Sequence, residues 1–198
     1  MGMWSIRAAR RAQAVIAGAV LVLAAGAAAG STPDERPWPA RVVHVTDGDS
    51  LWARPVAGGR RVKLRLEGID APEICQTYGR QAREALQQLV LNQAVTVQVR
   101  AHDRWGRGIA RVRRASDGAD VAERLAAAGW AWSDDWGWRT GPYAAQAEQA
   151  RRERRGLFAQ AGAQRPRDFR KAHGPCSAAG RRQAGATPGR IDVVLRGA

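Results

Sequence analysis

Cysteine, histidine and acidic residues are all scarce in this chain of 198 residues, which has two Cys, three His and 18 Asp+Glu against 32 Lys+Arg. Two cysteines cannot build a disulfide-dense miniprotein, and the composition also excludes a multi-pass membrane protein, a collagen and a coiled coil. His44, His102 and His173 stand at no metal-ligand spacing, and neither Cys75 nor Cys176 has a His or Cys neighbour at zinc spacing. No His–Asn or His–Asp set accompanies a cysteine, so cysteine-nucleophile chemistry lacks its base. The three histidines read as structural or surface residues. There is no internal repeat. The shortage of acid leaves a formal net charge of +14, which points to a polyanionic partner, nucleic acid first. The length suits one domain with extensions and is enough to bury a core.

Residues 1–30 read as an export segment rather than as part of a fold. Arg7, Arg10 and Arg11 make a basic start, Ala14 to Gly30 is an uncharged run, and Ala27-Ala28-Ala29 supplies small residues for cleavage. That order is the signature of a secretory signal peptide. A retained membrane anchor over residues 12–30 is the alternative, although the run is slightly short for a bilayer span. The expected location is therefore secreted or periplasmic, with no stable membrane association once the segment is cleaved. Removing residues 1–30 takes away three arginines and no acid, so the basic character belongs to the rest of the chain. In an oxidising compartment Cys75 and Cys176 can form one bridge, two unrelated thiols being the alternative. Closing a loop of about 100 residues would contribute about 4–5 kcal/mol in the loop-entropy model.

The remaining pattern is mostly of period two. Residues 31–39 carry three prolines and read as a linker, 40–171 as the folded domain, and 172–198 as a flexible tail rich in Gly, Ala and Arg. Val43 and Val45 alternate with His44 and Thr46 before a turn at Asp47-Gly48-Asp49. Leu51 and Ala53 continue to a hairpin turn at Ala57-Gly58-Gly59. Val62, Leu64 and Leu66 then oppose Arg61, Lys63, Arg65 and Glu67 in the cleanest alternation of the chain. Gly68 breaks the parity, and Ile69 to Glu73 must leave the sheet because Pro72 cannot donate to a ladder. Gly79 to Leu91 has helical spacing, Val95, Val97 and Val99 restore a period of two, and Arg107 to Arg113 follows a glycine turn. Helices are predicted around Val121–Ala128, stopped by Gly129, and over Tyr143–Arg155, stopped by Gly156. The fold class is mainly β with helices (α+β): a five-stranded OB-like barrel with three helices. The apolar run Ile191 to Leu195 has no evident place.

Three segments carry the chemistry: Thr46-Asp47-Gly48-Asp49-Ser50, Arg65 through Glu73, and Asp103-Arg104-Trp105-Gly106-Arg107-Gly108. Together, in order and in a five-strand frame from about Arg41 to Phe158, they resemble the staphylococcal nuclease (thermonuclease) family. The resemblance implies a calcium-dependent endonuclease that cleaves DNA and RNA to 3′-phosphate and 5′-hydroxyl ends. It implies Asp49 and Asp70 as carboxylate ligands of Ca²⁺ and Ala71 as a carbonyl ligand, hard oxygen donors for a hard cation. Many relatives have Thr where Ala71 stands, a change that a carbonyl ligand survives. Asp47 would orient the site from behind the ligands. Glu73 would act as general base or position the attacking water. Arg65 and Arg107 would hold the scissile phosphate, to which a guanidinium can donate two parallel hydrogen bonds. Trp105 stands where better-known relatives have a phosphate-contacting Tyr, and Arg104 beside it could hold a terminal phosphate. Trp130, Trp132, Trp136 and Trp138 suit either base stacking or a core.

Two other functions compete. A barrel of the same fold could bind nucleic acid without cutting it, and a general basic protein could bind any anionic polymer in a salt-dependent way. The complete set Asp49, Arg65, Asp70, Glu73 and Arg107 favours the nuclease, and nothing in the sequence suggests more than a monomer.

Overall fold

The computed structural model describes residues 36–134, 140–174 and 176. The expected export segment, most of the linker, Trp136, Trp138 and nearly all of the tail lie outside these residues. Five strands form a closed barrel: β1 (Trp38–Val45), β2 (Ser50–Pro55), β3 (Val62–Leu66), β5 (Ala94–His102) and β6 (Gly108–Arg114). Their order around the barrel is β1-β2-β3-β6-β5, with β5 returning to β1. All pairings are antiparallel except β3 with β6, which is parallel. A parallel pair needs a crossover, and helix α1 (Gly79–Val90) together with β5 supplies it.

Alternation decides what fills the barrel. Leu51, Ala53, Leu64, Leu66, Val95, Val97, Ala110 and Val112 are buried inside it, whereas Trp52, Arg65, Thr96 and Arg111 between them are partly or fully exposed. Helix α1 covers one end because Ala82, Ala85, Leu86, Leu89 and Val90 form one apolar stripe. Helix α2 (Val121–Ala127) starts where the Asp120 carboxylate accepts the amides of Ala122 and Glu123, at 3.1 and 3.3 Å, the ordinary way to satisfy a helix's first free N–H groups. Helix α3 (Ala144–Arg152) is shorter than the predicted Tyr143–Arg155 span and is followed by a 3-10 turn at Gly156–Ala159.

Four local features differ from the sequence expectation. Strand β1 begins at Trp38, inside the expected linker, where Trp38 and Pro39 pair with Val97 and Thr96. Its inward residues are Ala40, Val42 and Val45, whereas Val43 is only partly buried. The register slips between Val42 and His44, so one extra residue shifts the phase, as a β-bulge does. Ile69–Asp70 does leave the barrel, yet it pairs again as β4 with β7 (Trp132–Ser133). Finally, a fourth helix, α4 (Pro166–His173), runs past the expected end of the domain. Only Pro166 of α4 is buried, so it has no apolar stripe for a periodicity argument to find.

Leu64 of β3 lies in the core with no exposure. Leu64→Ala is expected to lower the unfolding free energy by about 2–5 kcal/mol, read as a shift of the urea midpoint at unchanged slope.

Candidate active site

The turn between β1 and β2 is drawn tight by the Thr46 amide, which donates to the Ser50 carbonyl at 2.8 Å. Gly48 sits at its tip against the next two elements. A Cβ there would lie 2.7 Å from the Ala71 Cβ and 2.8 Å from the Ala82 Cβ, too close for any side chain. The turn can therefore dock onto the loop after β4 and onto α1 only with glycine. Docking brings Asp49 beside Ala71, whose amide donates to Asp49 Oδ2 at 3.2 Å. Asp49 is also tied to β3, because the Leu66 amide donates to its carbonyl at 2.8 Å.

Arg65 is the hub. It lies opposite Ser50 in the β2–β3 register, on the polar side of β3. Its Nη1 donates to Asp49 Oδ2 at 2.7 Å and its Nη2 to Asp70 Oδ1 at 3.0 Å and to the Ile69 carbonyl at 3.2 Å. Both carboxylates are nearly buried, at 4% and 7% residue exposure. The Asp49 charge, helped by Asp70 and opposed by burial, raises the Arg65 pKa and keeps its guanidinium charged.

Arg107 precedes β6, whose parallel pairing with β3 sets Gly108 against Leu64. Its Nη1 donates to Ser50 Oγ at 3.1 Å, and that hydroxyl in turn donates to Asp49 Oδ1 at 2.9 Å. Asp103 fixes the other side of Arg107, accepting its Nε at 2.6 Å and the amides of Trp105 and Arg107 at 2.9 and 3.0 Å. Burial works against the Asp103 charge, but the hydrogen bonds from Arg107 and Trp105 outweigh it and hold its pKa below the ordinary value. Trp105 is 66% exposed, with the guanidinium carbons of Arg104 and Arg107 4.2 and 5.2 Å from its ring centroid. That is an open aromatic face held in place by two cations.

Glu73 lies three residues beyond Asp70 and is held by residues that the sequence reading missed. Arg170 of α4 donates from Nη1 to Glu73 Oε1 at 2.9 Å and to Asp70 Oδ1 at 3.1 Å, and from Nη2 to Asp70 Oδ2 at 3.1 Å. Burial opposes the Arg170 charge, but the hydrogen bonds and charges of Asp70 and Glu73 prevail and its pKa is raised. Gln76 fastens the same loop, its Oε1 accepting the Glu73 amide at 3.2 Å and its Nε2 donating to the Gln164 carbonyl at 2.7 Å. Cys75 and Cys176 are joined as a disulfide with an S–S distance of 2.02 Å. Asp134, also missed, sits near Asp70 with its pKa raised by burial first and by the Asp70 charge second. No sequence signal singles out Arg170 among so many arginines.

The structure thus joins Asp49, Arg65, Asp70, Ala71, Glu73 and Arg107 in one hydrogen-bonded network, with Asp47 at its rear. Arg104 and Trp105 form a separate exposed ledge beside Arg107. Trp132 is buried edge-on against Phe158, ring centroids 5.5 Å apart, and Trp130 packs on the core. These two tryptophans serve the interior rather than a base-binding groove.

Asp47 lies behind Asp49 in the same turn. Its Oδ1 accepts the Asp49 amide at 3.1 Å, yet desolvation, and after it the Asp49 charge, push its pKa up to about 7. Asp49, Asp70 and the Ala71 carbonyl would offer hard oxygen donors to a divalent cation. Among the described residues no three acidic, histidine or cysteine side chains surround a common point; Asp70 instead spends both oxygens on arginine. The donor set fits a hard cation wherever an oxygen of Asp70 is released.

Comparison with known proteins identifies the family. The model of the staphylococcal nuclease homologue family matches residues 63–160. An uncharacterised endonuclease of Escherichia coli O157:H7 is 37% identical over 122 residues, covering 61% of this chain and 77% of the relative. A probable staphylococcal-like nuclease of Oryza sativa subsp. japonica is 34% identical over 112 residues, 57% of this chain and 33% of the relative. The family match and these relatives place the closed-barrel chain in the nuclease class. It belongs to the staphylococcal nuclease homologue family.

The Asp47 pKa sets a pH dependence. Its folded value of about 7 lies above the ordinary 3.8, so this group's contribution is complete below about pH 4 and is lost as pH rises through 7. In metal-free buffer, Asp47→Asn is expected to remove the part of the stability decline between these pH values that thermal denaturation records for the wild type.

Proposed function

We propose that the chain is an exported, calcium-dependent endonuclease that hydrolyses DNA and RNA to 3′-phosphate and 5′-hydroxyl ends. The observation that carries the reading is the single network in which Arg65 and Arg107 are linked through Ser50 and Asp49, with Glu73 on the next loop. Two guanidinium groups linked through Ser50 and Asp49 would donate to the non-bridging oxygens of a phosphodiester and hold the additional charge that develops as phosphorus becomes five-coordinate. Asp103 and Asp49 fix the two arginines in place, which spares the cost of ordering them during the reaction. The Glu73 carboxylate accepts a proton from the attacking water. Water oxygen bonds to phosphorus, the P–O5′ bond breaks, and the 5′ oxygen leaves as the hydroxyl by taking a proton from solvent, to which Glu73 returns the one it accepted. The Trp105 face, flanked by Arg104, receives a base or an adjacent phosphate.

Asp49, Asp70 and the Ala71 carbonyl would hold Ca²⁺, with Asp47 behind them. The ion would supply positive charge to the phosphate and order its water. Export is supported by the basic-then-apolar order of residues 1–30 and by the Cys75–Cys176 bridge, which belongs to oxidising compartments. The product is a secreted or periplasmic monomer, or one anchored by residues 12–30 if that segment is kept.

A second reading, a nucleic-acid-binding barrel that does not cut, is favoured by one observation: Arg170 engages both Glu73 and Asp70. Incubation with single-stranded DNA in calcium or in chelator separates the two. Cleavage is expected in calcium and not in chelator, and Glu73→Gln is expected to lower kcat by about 10²–10⁴ with DNA binding retained. Undiminished cleavage in chelator would remove calcium from the mechanism. DNA binding with no cleavage in either condition would establish the binder.

A further inference from the structure

Arg170 lies beyond residue 160, outside the segment that the family model matches. It reaches the site from α4, whose other contacts explain how it gets there. The Gln76–Gln164 hydrogen bond of 2.7 Å fastens the segment before α4 to the loop that carries Glu73. The Cys75–Cys176 disulfide fastens the segment after α4 to the same loop, two residues beyond Glu73. The helix is thereby clamped at both ends against the acidic side of the site. Its packing does not require this position, since Pro166 is its only buried residue and the Arg170 side chain itself remains 36% exposed. What the clamp delivers is a guanidinium on both oxygens of Asp70 and on one of Glu73.

We propose that Arg170 is a tethered internal cation that competes for the carboxylates of Asp70 and Glu73, so that α4 is a gate over the site. This inference rests on the reading of Asp49 and Asp70 as a cation site and adds what regulates that site. A guanidinium and a hard cation cannot share the Asp70 oxygens; each gains charge-assisted contacts that the other must give up. The tether raises the effective concentration of the competing arginine, as any short connection does for its second contact. The measured affinity for a divalent cation is then the intrinsic affinity reduced by the fraction of molecules with α4 displaced. The coupling is reciprocal: bound calcium must weaken the hold of α4 to the same extent.

Calcium binding to the full chain, followed by titration calorimetry without nucleic acid, tests the gate whether or not the protein cuts DNA. Arg170→Ala is expected to tighten calcium binding about tenfold or more. Arg170→Lys, which keeps the charge and loses the paired donors, is expected to fall between it and the wild type. Arg167→Ala removes the same charge from the same helix and is expected to change the affinity by less than about threefold, because its influence is screened. The double variant Cys75→Ser/Cys176→Ser is expected to tighten binding part of the way. In the wild type, calcium is expected to speed amide hydrogen exchange in α4. Unchanged or weaker calcium binding in Arg170→Ala would overturn the proposal, as would an equal gain in Arg167→Ala. A double cysteine variant that binds calcium like the wild type would overturn the tether. Failure of the nuclease reading would show separately, as no cleavage by any variant while the calcium affinities still differ.

Discussion

The guanidinium of Arg65 between Asp49 and Asp70 is the contact on which the site depends. The two acids come from different segments, a turn before β2 and a short strand after β3, and each is almost wholly buried. Without a cation between them, two buried carboxylates at close range would repel, and each would lose the solvation of its charge. Arg65 meets both, at 2.7 and 3.0 Å, and so permits the turn and the loop to close on one another. The raised pKa of Asp47 marks the limit of that compensation. Arg65, with Arg170 on Asp70, offsets the charges it touches, whereas Asp47 behind them is desolvated beside the Asp49 charge.

The barrel makes this contact possible through register rather than through local sequence. Antiparallel pairing of β2 with β3 sets Ser50 opposite Arg65, and parallel pairing of β3 with β6 brings the turn that carries Arg107 to the same end. Ser50 Oγ bridges the two arms, accepting from Arg107 and donating to Asp49. A buried hydroxyl with both functions satisfied is a rigid spacer, and polar networks of this kind fix geometry when every member has a partner. Gly48 and Gly79 serve the same end by absence of bulk: a Cβ on either would strike the site loop, at Ala71 or at the Glu73 carbonyl.

Much of this was legible in the sequence where a period was uninterrupted. Val62–Leu66 and Val95–Val99 alternate cleanly, and both are strands with the expected inward faces. Strand β1 carries the same residue types, but the bulge at Val43 shifts the phase by one, and a pattern read straight through assigns Val43 inward instead of Val42. Proline after Ala71 correctly excludes Ile69–Asp70 from the barrel, yet cannot reveal that β7, sixty-odd residues later, would pair with it. The site carboxylates and arginines were recognisable because three short segments occur in a fixed order. Arg170 was not, for a physical reason: α4 is held by a disulfide, one side-chain hydrogen bond and ion pairs, none of which leaves a periodic trace. Trp130 and Trp132 were ambiguous for the opposite reason, since the aromatic surface that stacks on a base also fills a core.

The distribution of charge gives the site its character. In a chain of net charge +14, a polyanion is drawn to the surface at long range, whereas a cation is repelled from it. Against that background the acids Asp49, Asp70 and Glu73 are gathered around the guanidinium groups of Arg65 and Arg170. Each of the arginines among them already has a partner: Asp49 and Asp70 for Arg65, Asp103 for Arg107, Asp70 and Glu73 for Arg170. The guanidinium donors of the site are thus already charged and held in place by carboxylates. The three are anchored differently: Arg65 lies on β3 and Arg107 directly precedes β6, whereas Arg170 belongs to a helix in which Pro166 alone is fully buried.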